Sequence, residues 1–150
     1  MKTKWKVIEA AVVGLLVLIQ FVPVRRDNPP VTSDVQAPED VKAILETSCY
    51  DCHSHRTRWP WYSRVAPVSW LIAGDVREGR ARMNLSQWDG YPDSSKEFFK
   101  TDIYKQVAEG EMPPAAYRLV HSKARVSPAA LNVLKRWSGA QGEGVTALKP

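Results

Sequence analysis

The chain has 150 residues, of which 44% are hydrophobic and 25% charged, and it contains six tryptophans. This composition excludes an intrinsically disordered chain and suffices for one small domain with a packed core. The net charge of +5 falls to +3 from residue 25 onward, where 18 bases face 15 acids. So mild an excess does not match a nucleic-acid-binding surface, and no nucleic-acid partner is expected. The only two cysteines lie three residues apart, which excludes a multi-bridge disulfide framework.

Residues 1–24 have the features of a membrane anchor or signal segment. The run AAVVGLLVLI occupies residues 10–19, and the apolar character extends over about 18 residues, near the lower limit for a transmembrane helix. Three lysines precede it, which favours a cytoplasmic N-terminus. Residues 22–24 (VPV) lack the small residues of a signal-peptidase site, so an uncleaved anchor is predicted. We therefore expect a single-pass membrane protein whose folded domain lies on the side of the membrane opposite the cytoplasm.

The rest of the chain is predicted to form an extended linker at 25–37, a folded domain at 38–140 and a flexible tail at 141–150. Apolar residues in the folded domain follow a helical period and no strand alternation is present, so the predicted class is all-α. Four helices are expected: one from Pro38 into Cys49, one over residues 70–83 with Ser69 as its N-cap, one from a capping box of Ser94 and Glu97 to Gly110, and one from Ser127-Pro128 to Gly139.

The motif that carries chemistry is CYDCH at residues 49–53, which has the C-x-x-C-H spacing of covalent haem attachment. Cys49 and Cys52 lie about one helical turn apart, so both sulfurs can form thioethers with the vinyl groups on one edge of a porphyrin. His53 comes next and is the predicted proximal iron ligand. The expected cofactor is a single, covalently bound haem c.

Two other interpretations of the cysteine pair compete with haem. A redox-active C-x-x-C of the thioredoxin kind needs a βαβ context, which this sequence lacks. A zinc site needs further ligands, for which only His55 and His121 are available. Both interpretations therefore rank below haem attachment.

Met112 is the predicted second iron ligand, because prolines 113 and 114 can stiffen a loop that presents its sulfur to the iron. Its competing role is to fill a gap in the core. His121 is the alternative distal ligand, although a hydrogen bond to a haem propionate or to the backbone would also explain it. Met83 is expected in the core.

The residues that follow the motif are rich in aromatic and basic side chains. A haem needs flat apolar walls, which Trp59, Trp61, Tyr62 and Trp70 are predicted to supply, unless they form a separate aromatic core. Six arginines lie between residues 56 and 82. They could hold haem propionates or attract an acidic redox partner, and simple solvent exposure is expected for most of them.

The order of these features resembles the class I cytochrome c plan: a helix, C-x-x-C-H, an irregular middle, a Met-Pro loop and a last helix. The stretches SCYDCHSHRTRWPWYSRVAPVSWLIAGDVREGRARMNLSQW and GEMPPAAYRLVHSKARVSPAALNVLKRW resemble the haem-binding domain family of bacterial cytochrome-c-like proteins, over about residues 38–138. Two positions depart from that family's pattern, Ser122 in place of a common proline and Val126 in place of a common leucine. The resemblance implies a small cytochrome-c-like helical domain around one haem, without defining a partner.

The function expected from these features is electron transfer by a membrane-anchored monohaem cytochrome with His53 and Met112 as iron ligands. An iron with two protein ligands has no open site, which favours a carrier over a catalyst. Its partners would be other redox proteins. The alternative is a haem enzyme or gas sensor, such as a peroxidase, which requires an open or displaceable distal site.

Overall fold

A computed structural model describes residues 2–140, which contain helices, turns and extended segments but no β-strand. The predicted all-α class is thus confirmed for this part of the chain, and the tail predicted at 141–150 lies outside it. Short 3-10 turns occupy Ile19–Phe21, Trp61–Arg64, Leu85–Gly90 and Ser122–Ala124. The α-helices are α1 (Lys2–Leu18), α2 (Glu39–Ser48), α3 (Tyr50–His53), α4 (Val68–Arg82), α5 (Asp93–Ala108), α6 (Ala115–Val120) and α7 (Pro128–Ser138).

The hydrophobic core lies between α2, α5 and α7. Helix α7 packs on α5 and α2, and Leu134 from α7 and Leu45 from α2 are completely buried. Leu85 and Met83 extend this core toward the short helix α3, and Met83 is buried there as predicted. On its other side α3 packs against α4. The cysteine motif is therefore held between the core and α4.

The last helix begins and ends as the sequence predicts. The Ser127 hydroxyl accepts a hydrogen bond from the Ala130 amide at 3.2 Å, which caps the N-terminus of α7. Gly139 follows the helix at φ +67°, and Gly110 follows α5 at φ +77°. Both glycines adopt the left-handed conformation that ends a helix and that residues with a Cβ rarely adopt.

Two predicted N-caps are wrong. Helix α4 already begins at Val68, so Ser69 lies inside its first turn and is buried. Helix α5 begins at Asp93 after Pro92, so Ser94 also lies within the helix rather than at its cap. In both cases a proline occupies the cap position, and its restricted φ sets the start of the helix without a side-chain hydrogen bond.

The predicted linker at 25–37 is extended, and much of it is held against the folded domain. Val35 is completely buried in the core. Asp34 accepts a 2.6 Å hydrogen bond from the Tyr50 hydroxyl and lies 3.1 Å from the Arg56 guanidinium. The Arg80 guanidinium donates to the backbone oxygen of Asp27 at 3.0 Å. These contacts make the segment part of the domain.

Helix α1 stands apart from the core with exposed apolar side chains. Within residues 2–140, no helix combines the length and the apolar content that crossing a membrane requires. The transmembrane helix predicted in residues 1–24 is therefore not supported.

Candidate haem site

A cavity of about 600 Å³ lies between α3, α4, α5 and the loop before α6. Its size is within the range of roughly 300–1,000 Å³ that is usual for ligand and cofactor pockets. Four predicted site residues line it, although they come from distant parts of the sequence: Cys49, Cys52, His53 and Met112. The fold thus brings the complete predicted haem-binding set into one cavity.

The cysteine motif forms one tight helical turn. Both the Cys52 and the His53 amides donate to the Cys49 carbonyl oxygen, at 3.2 and 2.9 Å. Helix α4 approaches this turn closely at Gly79, where an added Cβ would lie 2.7 Å from the Cys52 carbonyl oxygen. The sequence does not indicate this contact, because a glycine inside a helix gives no signal about its tertiary neighbours.

The His53 ring is oriented by the backbone. Its Nδ1 lies 3.1 Å from the Met83 carbonyl oxygen, which requires the proton to be on Nδ1. Burial lowers the pKa of His53, although the hydrogen bond to Met83 opposes this effect. The neutral ring therefore keeps Nε2 unprotonated, and a neutral imidazole oriented by a backbone carbonyl is the form in which histidine binds a metal ion.

Both cysteine thiols are held in their protonated form. Burial, with a smaller contribution from Cys52, raises the pKa of Cys49 to about 12. Burial and the nearby Asp75 and Asp51 raise the pKa of Cys52 to about 11. A nucleophilic or redox-active thiol needs a lowered pKa, so this environment does not favour thioredoxin-like chemistry.

Met112 reaches the cavity from a tight turn after α5. The amides of Glu111 and Met112 both donate to the Gln106 carbonyl oxygen, at 3.0 and 3.1 Å, so the end of the helix holds the loop. Gly110 provides the left-handed residue that this reversal requires. The Met112 side chain is half-buried, contacts the core cluster and lines the cavity.

His121, the alternative distal ligand, does not line the cavity. Its Nε2 lies 3.1 Å from the Tyr62 hydroxyl, and its ring stacks on Tyr117 with 4.1 Å between centroids. Tyr117 does line the cavity and donates to Asp51 at 2.7 Å. His121 thus supports the wall from behind.

His55, which the zinc interpretation required, is buried and has partners elsewhere. Its Nδ1 lies 2.8 Å from the Pro30 carbonyl oxygen, and its Nε2 lies 2.7 Å from the Asn84 amide nitrogen. Within residues 2–140, no three His, Cys, Asp or Glu side chains are grouped to hold a metal ion. The cysteine pair therefore lacks the further ligands that the zinc interpretation needs.

The prediction that the aromatic residues following the motif form the walls of the cavity is wrong. None of Trp59, Trp61, Tyr62 and Trp70 lines the cavity, and Trp61 is 77% exposed. They follow the motif closely in sequence, but the proline-rich segment carries them away from it. The aromatic lining consists instead of Phe98, Phe99 and Tyr117.

One face of α5 supplies much of this lining. Phe99, Ile103 and Val107 are spaced by four residues, which places them on the same side of the helix. Nothing in its pattern separates packing against a cofactor from packing against other side chains.

Most of the six arginines are exposed, as expected, and the alternative of a basic rim does not describe the cavity. Among the six arginines, only Arg82 lines the cavity, and it pairs with Glu78 at 2.7 Å. Arg56 and Arg58 form ion pairs with Asp34 and Asp51. Five carboxylates line the cavity: Asp51, Asp75, Glu78, Asp102 and Glu111.

The residues present fit a haem. The cavity combines two protonated thiols in one turn, a neutral imidazole, a thioether and largely apolar walls. An imidazole and a thioether are a known ligand pair for haem iron, and apolar walls are what a porphyrin requires.

Comparison with known proteins agrees with this assignment. The family model described as Haem-binding domain matches residues 14–140, which include the packed linker and the whole cavity. No match was found among curated proteins or among solved structures. Because the family match covers most of the chain, this protein belongs to the haem-binding domain family and is a haem protein.

Proposed function

We propose that this protein is a monohaem c-type cytochrome that transfers electrons on the periplasmic side of a bacterial inner membrane. The observation that carries the proposal is that Met112 and His53 line the same cavity as the Cys49–Cys52 pair. With His53 and Met112 each supplying one ligand, the iron would have no open coordination position. Such an iron suits electron transfer rather than catalysis.

Each residue of the site has a separate task in this proposal. The two cysteines hold the cofactor covalently, and His53 binds the iron through Nε2 while Met83 fixes the ring. The Met112 thioether favours the reduced state and raises the potential. The bound haem supplies a one-electron couple. Phe99 and Ile103 limit access of water to it from the α5 side.

Attachment to the membrane is part of the proposal. It is supported by the lysine-rich leader and by the apolar side chains along α1, such as Leu15, Val17 and Leu18, which are more than half exposed. Such a helix needs an apolar environment. Export is also expected for a protein that receives covalent haem.

The covalent bond is tested by intact mass spectrometry of the full chain, expressed in cells competent for haem attachment. We expect the polypeptide mass plus one haem, and an absorption spectrum that survives denaturation and acid–acetone extraction. Cys49→Ala with Cys52→Ala should abolish both signals, whereas His55→Gln, outside the cavity, should retain them. A parent chain that carried only extractable haem would refute c-type attachment.

A further inference from the structure

Exposed apolar side chains outside the N-terminal segment are concentrated at one place. In the described chain beyond residue 24, nine large hydrophobic residues are exposed, and seven of them belong to segments 61–71 and 119–120. Scattered exposed apolar residues need no explanation, but a contiguous group marks an interaction surface. The seven are Trp61, Val65, Val68, Trp70, Leu71, Leu119 and Val120.

The two segments meet in the folded protein. The Tyr62 hydroxyl lies 3.1 Å from His121 Nε2, although 59 residues separate them. Trp61 packs edge-on against Tyr62 with 5.7 Å between ring centroids. Leu119 and Val120 directly precede His121 in the chain. The exposed residues of both segments therefore belong to one region of the surface.

The apolar helix α1 leaves the domain from this same region. The Gln20 side chain binds both backbone groups of Ala66, accepting from its amide at 2.9 Å and donating to its carbonyl oxygen at 3.2 Å. The Arg26 guanidinium donates to the Ser63 carbonyl oxygen at 3.1 Å. The 3-10 turn that directly follows α1 is thus fixed beside segment 61–71, and the exposed apolar surface continues from the helix onto the domain.

Basic residues predominate in this region. Segments 19–26, 61–71 and 119–125 contain no aspartate or glutamate, and Asp27, which follows the first of them, pairs with Arg25 at 3.6 Å. Exposed basic residues beside apolar and tryptophan side chains are the composition that binds the interface of an anionic bilayer. The exposed cations of these segments are Arg25, Arg26, Arg64, Lys123 and Arg125.

We propose that segments 61–71 and 119–125, here called the docking surface, lie against a bilayer that contains anionic lipids. The inference rests on the proposed membrane attachment and goes beyond it, because the haem domain would have one fixed orientation rather than moving freely on a tether. The continuity with α1 favours lipid over a protein partner. None of the seven exposed apolar residues lines the haem cavity, so docking leaves that cavity unobstructed.

The test measures how fast a polar maleimide labels single cysteines added to the haem-loaded full chain in nanodiscs. The added cysteines are Leu71→Cys and Leu119→Cys on the docking surface, with Lys105→Cys on α5 as the exposed control. In nanodiscs with anionic lipid, we expect the first two to label about tenfold more slowly than the control. Adding Arg64→Glu and Lys123→Glu should restore fast labelling, whereas adding Glu97→Lys, on α5, should not.

The outcomes separate the two proposals. A chain that does not co-purify with nanodiscs refutes the membrane attachment and the docking together. A chain that co-purifies but labels equally fast at all three positions refutes the docking alone and leaves the surface free for a protein partner. The parent chain without an added cysteine should not label, because its own sulfurs are in thioethers. Labelling of the parent would instead refute covalent haem attachment.

Discussion

Gly79 on α4 lies so close to Cys52 on α3 that an added Cβ would be 2.7 Å from the Cys52 carbonyl oxygen. This close approach brings α4 onto the cysteine turn. The C-terminal end of α4 leads directly to Met83, whose carbonyl oxygen lies 3.1 Å from His53 Nδ1. The contact of Gly79 and the orientation of His53 therefore both depend on where α4 lies relative to α3.

Gly79→Ala should destabilise the protein by about 1–3 kcal/mol, because the clash is with backbone atoms that cannot rotate away. Gly74→Ala in the same helix is the matched control. Its Cβ would meet nothing within 4 Å, so the gain in helix propensity should stabilise the protein by up to about 1 kcal/mol. Urea unfolding of both variants measures the difference. Equal stabilities would show that α4 can move away from α3 at little cost.

A second prediction concerns pH. The Tyr50 hydroxyl is buried and donates to Asp34 at 2.6 Å, and burial followed by this hydrogen bond raises the pKa of Tyr50 well above its usual value. The raised pKa stabilises the fold fully below about pH 10, where the unfolded chain also keeps this phenol protonated. The contribution is lost as the pH rises above that value.

Tyr50→Phe should therefore lower the free energy of unfolding by about 1–3 kcal/mol at pH 7. The difference in free energy of unfolding between the parent and this variant should narrow above about pH 10, where only the parent loses the contribution of the Tyr50 hydroxyl. Unfolding curves at pH 7, 9 and 11 test both parts. A gap that stays constant up to pH 11 would mean that Tyr50 ionises equally easily in the folded and unfolded chains.

The sequence predicted the parts of the site that depend on short spacing. The cysteine turn needs only residues 49–53, and the Ser127 cap needs only its own helix, so local patterns sufficed. It also indicated Met112 through the adjacent prolines. The long-range meeting of Met112 with His53 came from the resemblance to a cytochrome plan, since no local pattern encodes a contact across 59 residues.

The predictions that were wrong concern contacts between distant parts of the chain, which short spacing does not determine. Trp61 and Tyr62 were placed near the haem because they are near His53 in sequence, whereas the proline-rich chain turns them toward His121. The proline-rich composition of residues 25–37 predicted an extended linker. Composition does not reveal that Val35 is buried or that Arg80 binds the segment.

A third prediction tests which aromatic residues surround the haem. Phe99 lines the cavity and packs edge-on against Tyr91 with 4.9 Å between centroids, so Phe99→Ala should admit water and lower the reduction potential. Trp61→Ala should leave the potential unchanged, because Trp61 lies outside the cavity. Redox titration of the two variants decides between the structure and the sequence-based expectation. A shift on replacing Trp61 alone would favour the latter.

The last prediction concerns the second iron ligand, which decides between a carrier and an enzyme or sensor. Met112 lines the cavity, whereas His121 has its Nε2 beside the Tyr62 hydroxyl. The oxidised protein should therefore show the weak long-wavelength iron–sulfur charge-transfer band. Met112→Ala should abolish this band, lower the potential and allow cyanide or carbon monoxide to bind, because only His53 would remain on the iron. His121→Ala should keep the band. A parent without the band whose low-spin spectrum disappears only on replacing His121 would establish bis-histidine ligation. A parent that is already high-spin and binds carbon monoxide would make the enzyme or sensor the better assignment.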